Sequence, residues 1–164
     1  MIDGTDAVIL NILQSNARTS NAEIARQVGL APSAVFERIR KLEERGVIEG
    51  YAARVNPKAV DLPLLAYVFV RDNDKPGSET TAQRVAAIPG VLEVHQIAGE
   101  DCFLAKVRAA DTESLGRLLR ERIGGIRTIE STRTTIVLDT IKETAELPIG
   151  PPDSARTAPE PVRV

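Results

Sequence analysis

The 164-residue chain is 43% hydrophobic and 27% charged with a formal net charge of −2. That is the make-up of a soluble globular protein, not of one that coats nucleic acid through bulk positive charge. One cysteine, Cys102, and one histidine, His95, exclude an internal disulfide and leave too few ligands for zinc. The acidic N-terminus MIDGTDAVIL and the lack of an apolar run near the roughly 18 residues of a membrane span predict a cytoplasmic protein without membrane, metal or cofactor.

The first half reads as helices. Asp3 or Thr5 can cap a first helix whose apolar residues Val8, Ile9, Ile12 and Leu13 form a stripe, and QSNARTSN breaks it. Ser20-Asn21-Ala22-Glu23 has the pattern of a capping box, in which the Ser hydroxyl and the Glu carboxylate each satisfy a free backbone N–H. A second helix runs from about Asn21 to Val28 and stops at Gly29, Leu30-Ala31 turns, and Pro32 opens a third helix that reaches Arg45 before Gly46. VIEGYAARVN then alternates as a short wing or departing strand, and NPKAVDLP, residues 56–63, reads as a hinge.

Beyond the hinge, LLAYVFVRD, GSETTAQRVAAIPG, VLEVHQIAG, CFLAKVRA, DTESLGRLLRERIGG and IRTIESTRTTIVLD give strand, helix, strand, strand, helix, strand. The repeat of helix, small turn and strand (AAIPGV, then RIGGIR) makes each half a split βαβ unit, which predicts an α+β fold with a ferredoxin-like βαββαβ domain. The first strand is apolar on both sides: Leu64, Ala66, Val68 and Val70 on one, Leu65, Tyr67 and Phe69 on the other. A sheet covered by helices on one face alone would leave the second row in water, so a second subunit is expected to cover it. The tail, residues 148–164, is Pro-rich without apolar period and reads as disordered. The organisation is therefore a helix-turn-helix domain at 1–55, a hinge at 56–63, a ferredoxin-like domain at 64–143 and the tail.

On the third helix Val35, Ile39 and Leu42 share one stripe and turn inward. The opposite side carries Ser33, Ala34, Glu37, Arg40 and Lys41, flanked by Phe36 and Arg38, a mixture of base-edge readers and phosphate binders. A solvated helix face would look the same. The charge is sparse, too: residues 1–55 hold seven Lys plus Arg and seven Asp plus Glu, a net of 7 − 7 = 0. Two symmetric heads would read half-sites about 34–36 Å apart, an imperfect palindrome in double-stranded DNA.

These parts together resemble the Lrp/AsnC (feast/famine) transcriptional regulators, through AVILNILQSNARTSNAEIARQVGLAPSAVFERIRKLEERGVIEGYAARVNP at the front and HQIAGEDCFLAKV behind. The resemblance implies a winged helix-turn-helix joined to a ligand-sensing domain, dimerisation through the open sheet face, and higher homo-oligomers such as octamers associated with the nucleoid. It also implies a small effector, usually an amino acid, near the loop after the second strand, where this chain has Gly99, Glu100, Asp101 and Cys102. Many members carry Asp where this chain has Cys102.

Carboxylates in that loop can receive an α-ammonium group, and Arg133, between Thr132 and Thr134 on the last strand, can pair with a ligand carboxylate or stand as an ordinary edge residue. His95 and Cys102 read as packing or interface residues, since no third group is spaced to orient either one for catalysis. No enzymatic activity is expected. Two other functions share these features: a tetrapyrrole (sirohaem) decarboxylase of the same architecture, which needs more basic and imidazole groups than the single His95, and an architectural protein that wraps DNA with little sequence preference.

Overall fold

A computed structural model of the chain describes residues 2–73 and 80–150. They fall into two compact units, Met1–Ala53 with Glu143–Val164, and Arg54–Lys142.

The first unit begins with α1 (Gly4–Ser15), capped by Asp3, and a capping box closes here: Asp6 N–H donates to Asp3 Oδ1 at 2.8 Å and Asp3 N–H to Asp6 Oδ2 at 3.2 Å. The buried side of α1 holds Ala7, Ile9 and Leu10, whereas Val8 is 45% exposed. The expected stripe is thus turned by about one residue, 100°, toward Leu10.

In α2 (Asn21–Val28) the box expected at Ser20 is half formed. Ser20 accepts from Glu23 N–H at 3.2 Å, but the Glu23 carboxylate pairs with Arg26 and Gln27 instead of reaching back. A nearby guanidinium outcompetes one backbone N–H for a carboxylate. Gly29 ends the helix at φ 69°, and Pro32 opens α3 (Pro32–Glu44). Val35, Ile39 and Leu42 are buried, the first two packed with Ile9, Ile24 and Ala25 into one aliphatic core.

After Gly46, at φ 65°, the N–H groups of Val47 and Ile48 close on the Leu42 carbonyl, and Ile48 packs on that core. Over 47–56, expected as a short wing or departing strand, no strand is formed within the single chain among the described residues. Extended chain at the C-terminal end also belongs to this unit: Gln14 holds both backbone groups of Leu147 (2.7 and 3.1 Å), and Asn11 donates to the Ile149 carbonyl at 2.8 Å. Of the tail expected to be disordered, residues 148–150 are therefore placed, with Ile149 anchored, and 151–164 lie outside the described residues.

In the second unit the expected hinge contains a 3-10 turn, Pro57–Val60, capped by Asn56. The elements that follow are β1 (Leu64–Asp72), α4 (Thr80–Ala86), β2 (Val91–Gln96), β3 (Phe103–Ala109), α5 (Thr112–Arg117) with a π-helical continuation Leu118–Ile123, and β4 (Ile129–Ile136). Residues 77–79 of the expected first helix lie outside the described residues. The sheet is antiparallel in the order β2-β3-β1-β4, the ferredoxin-like arrangement.

Ala66, Val68 and Val70 of β1 and Phe103, Ala105 and Val107 of β3 meet Val85, Ile88, Leu115 and Ile123 from the helical layer. Gly90, at φ 93°, is required where it stands: a Cβ there would lie 2.9 Å from the Arg108 carbonyl oxygen. The other sheet face carries Tyr67 opposite Lys106, Phe69 opposite Leu104 and Leu65 opposite Arg108; Leu65 is buried within the chain itself and Tyr67 and Phe69 are half-buried, so the row expected to stand in water is already partly shielded. No helix among the described residues is long and apolar enough to cross a membrane.

Candidate DNA-binding face and effector loop

α3 turns its hydrophilic side outward. Ser33, Glu37, Arg40 and Lys41 are exposed, Phe36 is 54% exposed and Ala34 half-buried. Two of the cations are already engaged. Arg40 lies between Glu37, 3.1 Å away, and Glu44, and these carboxylates hold its guanidinium more firmly protonated than usual, Glu37 contributing most. All three side chains are about half exposed, so the grip is weak and phosphate can replace it.

Arg38 is different. It bridges Asp3 and Asp6 at 2.7 Å each, Asp6 being nearly buried, and holds α3 to the start of α1. Its proton is bound more tightly than usual, through hydrogen bonds first to Asp3 and then to Asp6. Sequence reasoning grouped Arg38 with the outward side chains and read Asp3 only as a possible cap; the acid at both ends of DGTD, residues 3–6, was the signal for a second duty. Tyr51, also unassigned, donates to Glu43 at 2.9 Å and fastens the segment after α3; partial burial, then Glu43, push its phenol up to about 12.

In the second unit the β2–β3 loop is closed by Ile97 N–H on the Cys102 carbonyl, and Cys102 N–H donates to Val70. Gly99 stands exposed at φ 147°, a conformation L side chains rarely adopt, and Glu100 is exposed beside it. Asp101 pairs with Arg133 at 2.9 Å, and the Arg133 guanidinium lies 3.9 Å from the centre of the Phe69 ring. Of the expected residues, the loop's Asp101 and Arg133 of β4 thus meet, and the structure adds Phe69, which sequence reasoning had not assigned to the site.

The remaining residues do not converge with them. Thr132 and Thr134 sit opposite Val70 and Val68, on the helix-covered side, because neighbours along a strand alternate faces. The Cys102 sulfur is half-buried, 3.8 Å from the Asp72 carbonyl oxygen. Asp72 was missed altogether; its Oδ2 is buried with no hydrogen-bond partner among the described residues. His95 lies on exposed β2, 3.3 Å from Glu93, whose carboxyl Lys106 chiefly, and His95 next, hold below its usual range.

Two family models match the chain: the Lrp/AsnC ligand-binding domain over residues 65–147 and a winged helix-turn-helix DNA-binding domain over residues 2–49. The HTH-type transcriptional regulator FL11 of Pyrococcus horikoshii is 39% identical over 148 residues, 90% of this chain and 97% of that one.

The chain belongs to the Lrp/AsnC family of transcriptional regulators.

This Lrp/AsnC regulator also matches solved structures. A Neisseria meningitidis transcriptional regulator in complex with L-methionine has a TM-score of 0.85 at 31% identity, covering 90% of this chain and 97% of that one. The feast or famine regulatory protein from M. tuberculosis complexed with L-methionine has a TM-score of 0.84 at 34% identity, covering 92% of this chain and all of the other. The α3 face lies in the part matched as helix-turn-helix, and the Gly99–Cys102 loop with Arg133 in the part matched as ligand-binding domain.

Proposed function

We propose that this Lrp/AsnC regulator binds a specific DNA sequence through α3 and that an amino acid biases that binding through the β2–β3 loop. The carrying observation is the orientation of α3: Val35, Ile39 and Leu42 are buried, so Ser33 and Arg40 face outward. A helix so presented fits the major groove, with Ser33, Ala34, Phe36 and Glu37 in its first turns toward base edges and Arg40 and Lys41 toward base or phosphate. Arg38, committed to Asp3 and Asp6, orients the helix and does not read DNA.

An effector carboxylate would compete with Asp101 for Arg133, over Phe69, while Glu100 or the released Asp101 receives the ammonium group. The relatives solved with L-methionine support the ligand class. A second copy of the chain would complete the cover over the half-buried Tyr67 and Phe69, giving a homodimer with two heads for an imperfect palindrome and units for higher assemblies such as an octamer. Such a protein works in the cytoplasm, at the nucleoid.

Gel shift with DNA from upstream of the protein's own gene, with and without L-methionine, is the test. A shift that resists random competitor DNA and changes with the amino acid is expected. Equal competition by random DNA would reject sequence specificity.

A further inference from the structure

The chain passes between the two units twice, after Ala53 and again after Lys142. Before the second passage Val137 N–H still donates to the Leu65 carbonyl on the sheet, at 2.9 Å. Residues 138–146 then form neither helix nor strand, and Leu138 and Ile141 stand 98% and 90% exposed. Leu147 and Ile149 follow, both held on α1.

α1 grips main chain here, not side chain. Gln14 Oε1 accepts the Leu147 N–H at 2.7 Å, Gln14 Nε2 donates to the Leu147 carbonyl at 3.1 Å, and Asn11 Nδ2 donates to the Ile149 carbonyl at 2.8 Å. Leu147 itself remains 68% exposed. Side chains three apart on a helix share a face, and residues two apart in an extended chain turn their main-chain groups to one side. The two carboxamides therefore do for this segment what a neighbouring strand would do. Gln14 Nε2 also donates to Asn11 Oδ1, 3.4 Å away, which orients the pair. Because Leu147 meets Gln14 and Ile149 meets Asn11, the segment runs antiparallel to α1.

We propose that residues 143–150 are a releasable strap: docked on Asn11 and Gln14, they give the first unit a second attachment that holds it to one half-site spacing, a role that rests on the DNA binding proposed above. A body attached through one hinge turns about it, and a second attachment restricts that turning. Part of the entropy of orienting two heads on one operator is then lost before binding and not during it. Three exposed hydrogen bonds would hold a free peptide poorly. Here residues 138–146, reaching at most about 3.3–3.6 Å each, keep the segment near α1 at an effective concentration on the order of millimolar. Exposure also lets water replace the contacts, so the strap opens without unfolding α1, whose buried side is made by Ala7, Ile9 and Leu10.

Gel shift with the operator, and with the same DNA carrying about five extra base pairs, half a helical turn, between its half-sites, tests the strap. The full chain is compared with Asn11→Ala/Gln14→Ala and with Leu147→Pro, which removes the N–H given to Gln14 and alters nothing on α1. Wild type is expected to prefer the native spacing by about tenfold or more, and both variants to lose most of that preference while binding a single half-site as wild type does. Hydrogen exchange over residues 143–150 is expected to be faster in both. A spacing preference that is absent from wild type, or kept in either variant, overturns the strap and leaves sequence-specific binding standing. Wild type that binds operator no better than random DNA overturns both.

Discussion

The Arg38 guanidinium donates through one nitrogen to both Asp3 and Asp6, at 2.7 Å each, and so pins α3 to the N-terminus of α1. The acids already suit that place, since the positive end of the α1 dipole favours them. The outcome is an α3 whose pitch against its neighbour is set by charge as well as by Val35 and Ile39.

Asp6→Ala should therefore lower the stability of the first unit by about 1.5–3 kcal/mol, the scale of a lost hydrogen bond to a charged group. Urea unfolding measures it. Arg38→Gln should also destabilise, yet keep sequence discrimination at temperatures where it is folded. A variant as stable as wild type that no longer distinguishes operator from random DNA would make Arg38 a base reader instead.

Arg40 gives a contrasting expectation. Arg40→Ala should relax sequence choice, with operator affinity falling about ten- to a hundredfold for a lost base contact, whereas Lys41→Ala should weaken all sequences alike. Glu37→Gln removes one of the carboxylates bracketing Arg40 and should strengthen low-salt binding to random DNA, where no base contact of Glu37 enters, while steepening its salt dependence. Unchanged binding in Glu37→Gln would mean that Arg40 never leaves its acidic neighbours.

Asp101→Asn tests the loop. With its internal partner neutralised, Arg133 becomes free for a ligand carboxylate, so with Glu100 taking the ammonium group L-methionine should bind more tightly than to wild type, by about three- to tenfold for an exposed pair; weaker binding would assign the ammonium contact to Asp101. Arg133→Gln should abolish the response of DNA binding to L-methionine. Thr132→Val and Thr134→Val, on the other sheet face, should leave it intact.

The Asp3 carboxyl is held below its ordinary 3.8, chiefly by the Asp6 backbone N–H and then by Arg38. A depressed folded-state value means stabilisation that is present above 3.8 and disappears as pH falls through the lower value in the native state. Stability contributed by Asp3 should thus be constant from neutral pH down to about pH 5 and decline below about pH 4, and Asp3→Asn should remove that part of the acid limb. Acid unfolding followed by circular dichroism, wild type against variant, reads it directly. An identical acid limb in Asp3→Asn would deny the pairing a role in stability.

Much of the fold was legible because its signals are local. Ser20, Gly29, Pro32 and Gly46 mark helix ends through their own backbone preferences, and the alternation in LLAYVFVRD marks a strand without reference to its neighbours. The failures were of another kind. Val8 and Leu10 exchanged places on α1 because a helix of mixed apolar residues has more than one plausible inner face, and only packing against Ile24 and Val35 chooses. The segment after Gly46 has β character yet forms no strand within the single chain, since a ladder needs a second segment as well as suitable residues. Of the residues grouped around the loop from residue type, Asp101 and Arg133 meet in the fold, whereas Thr132 and Thr134, neighbours of Arg133 along the strand, lie on its opposite face.

The amino-acid sequence by itself determined the order of elements, the helix limits and the inward stripe of α3, all set by interactions spanning a few residues. Only the tertiary structure decided which charges remain available. Arg38 meets Asp3 across 35 positions and Arg133 meets Asp101 across 32, and a guanidinium already satisfied by a carboxylate is chemically a different group from one facing water. Pairings at that separation depend on sheet register and helix docking, which emerge from burial of the whole core and leave no local trace in the chain.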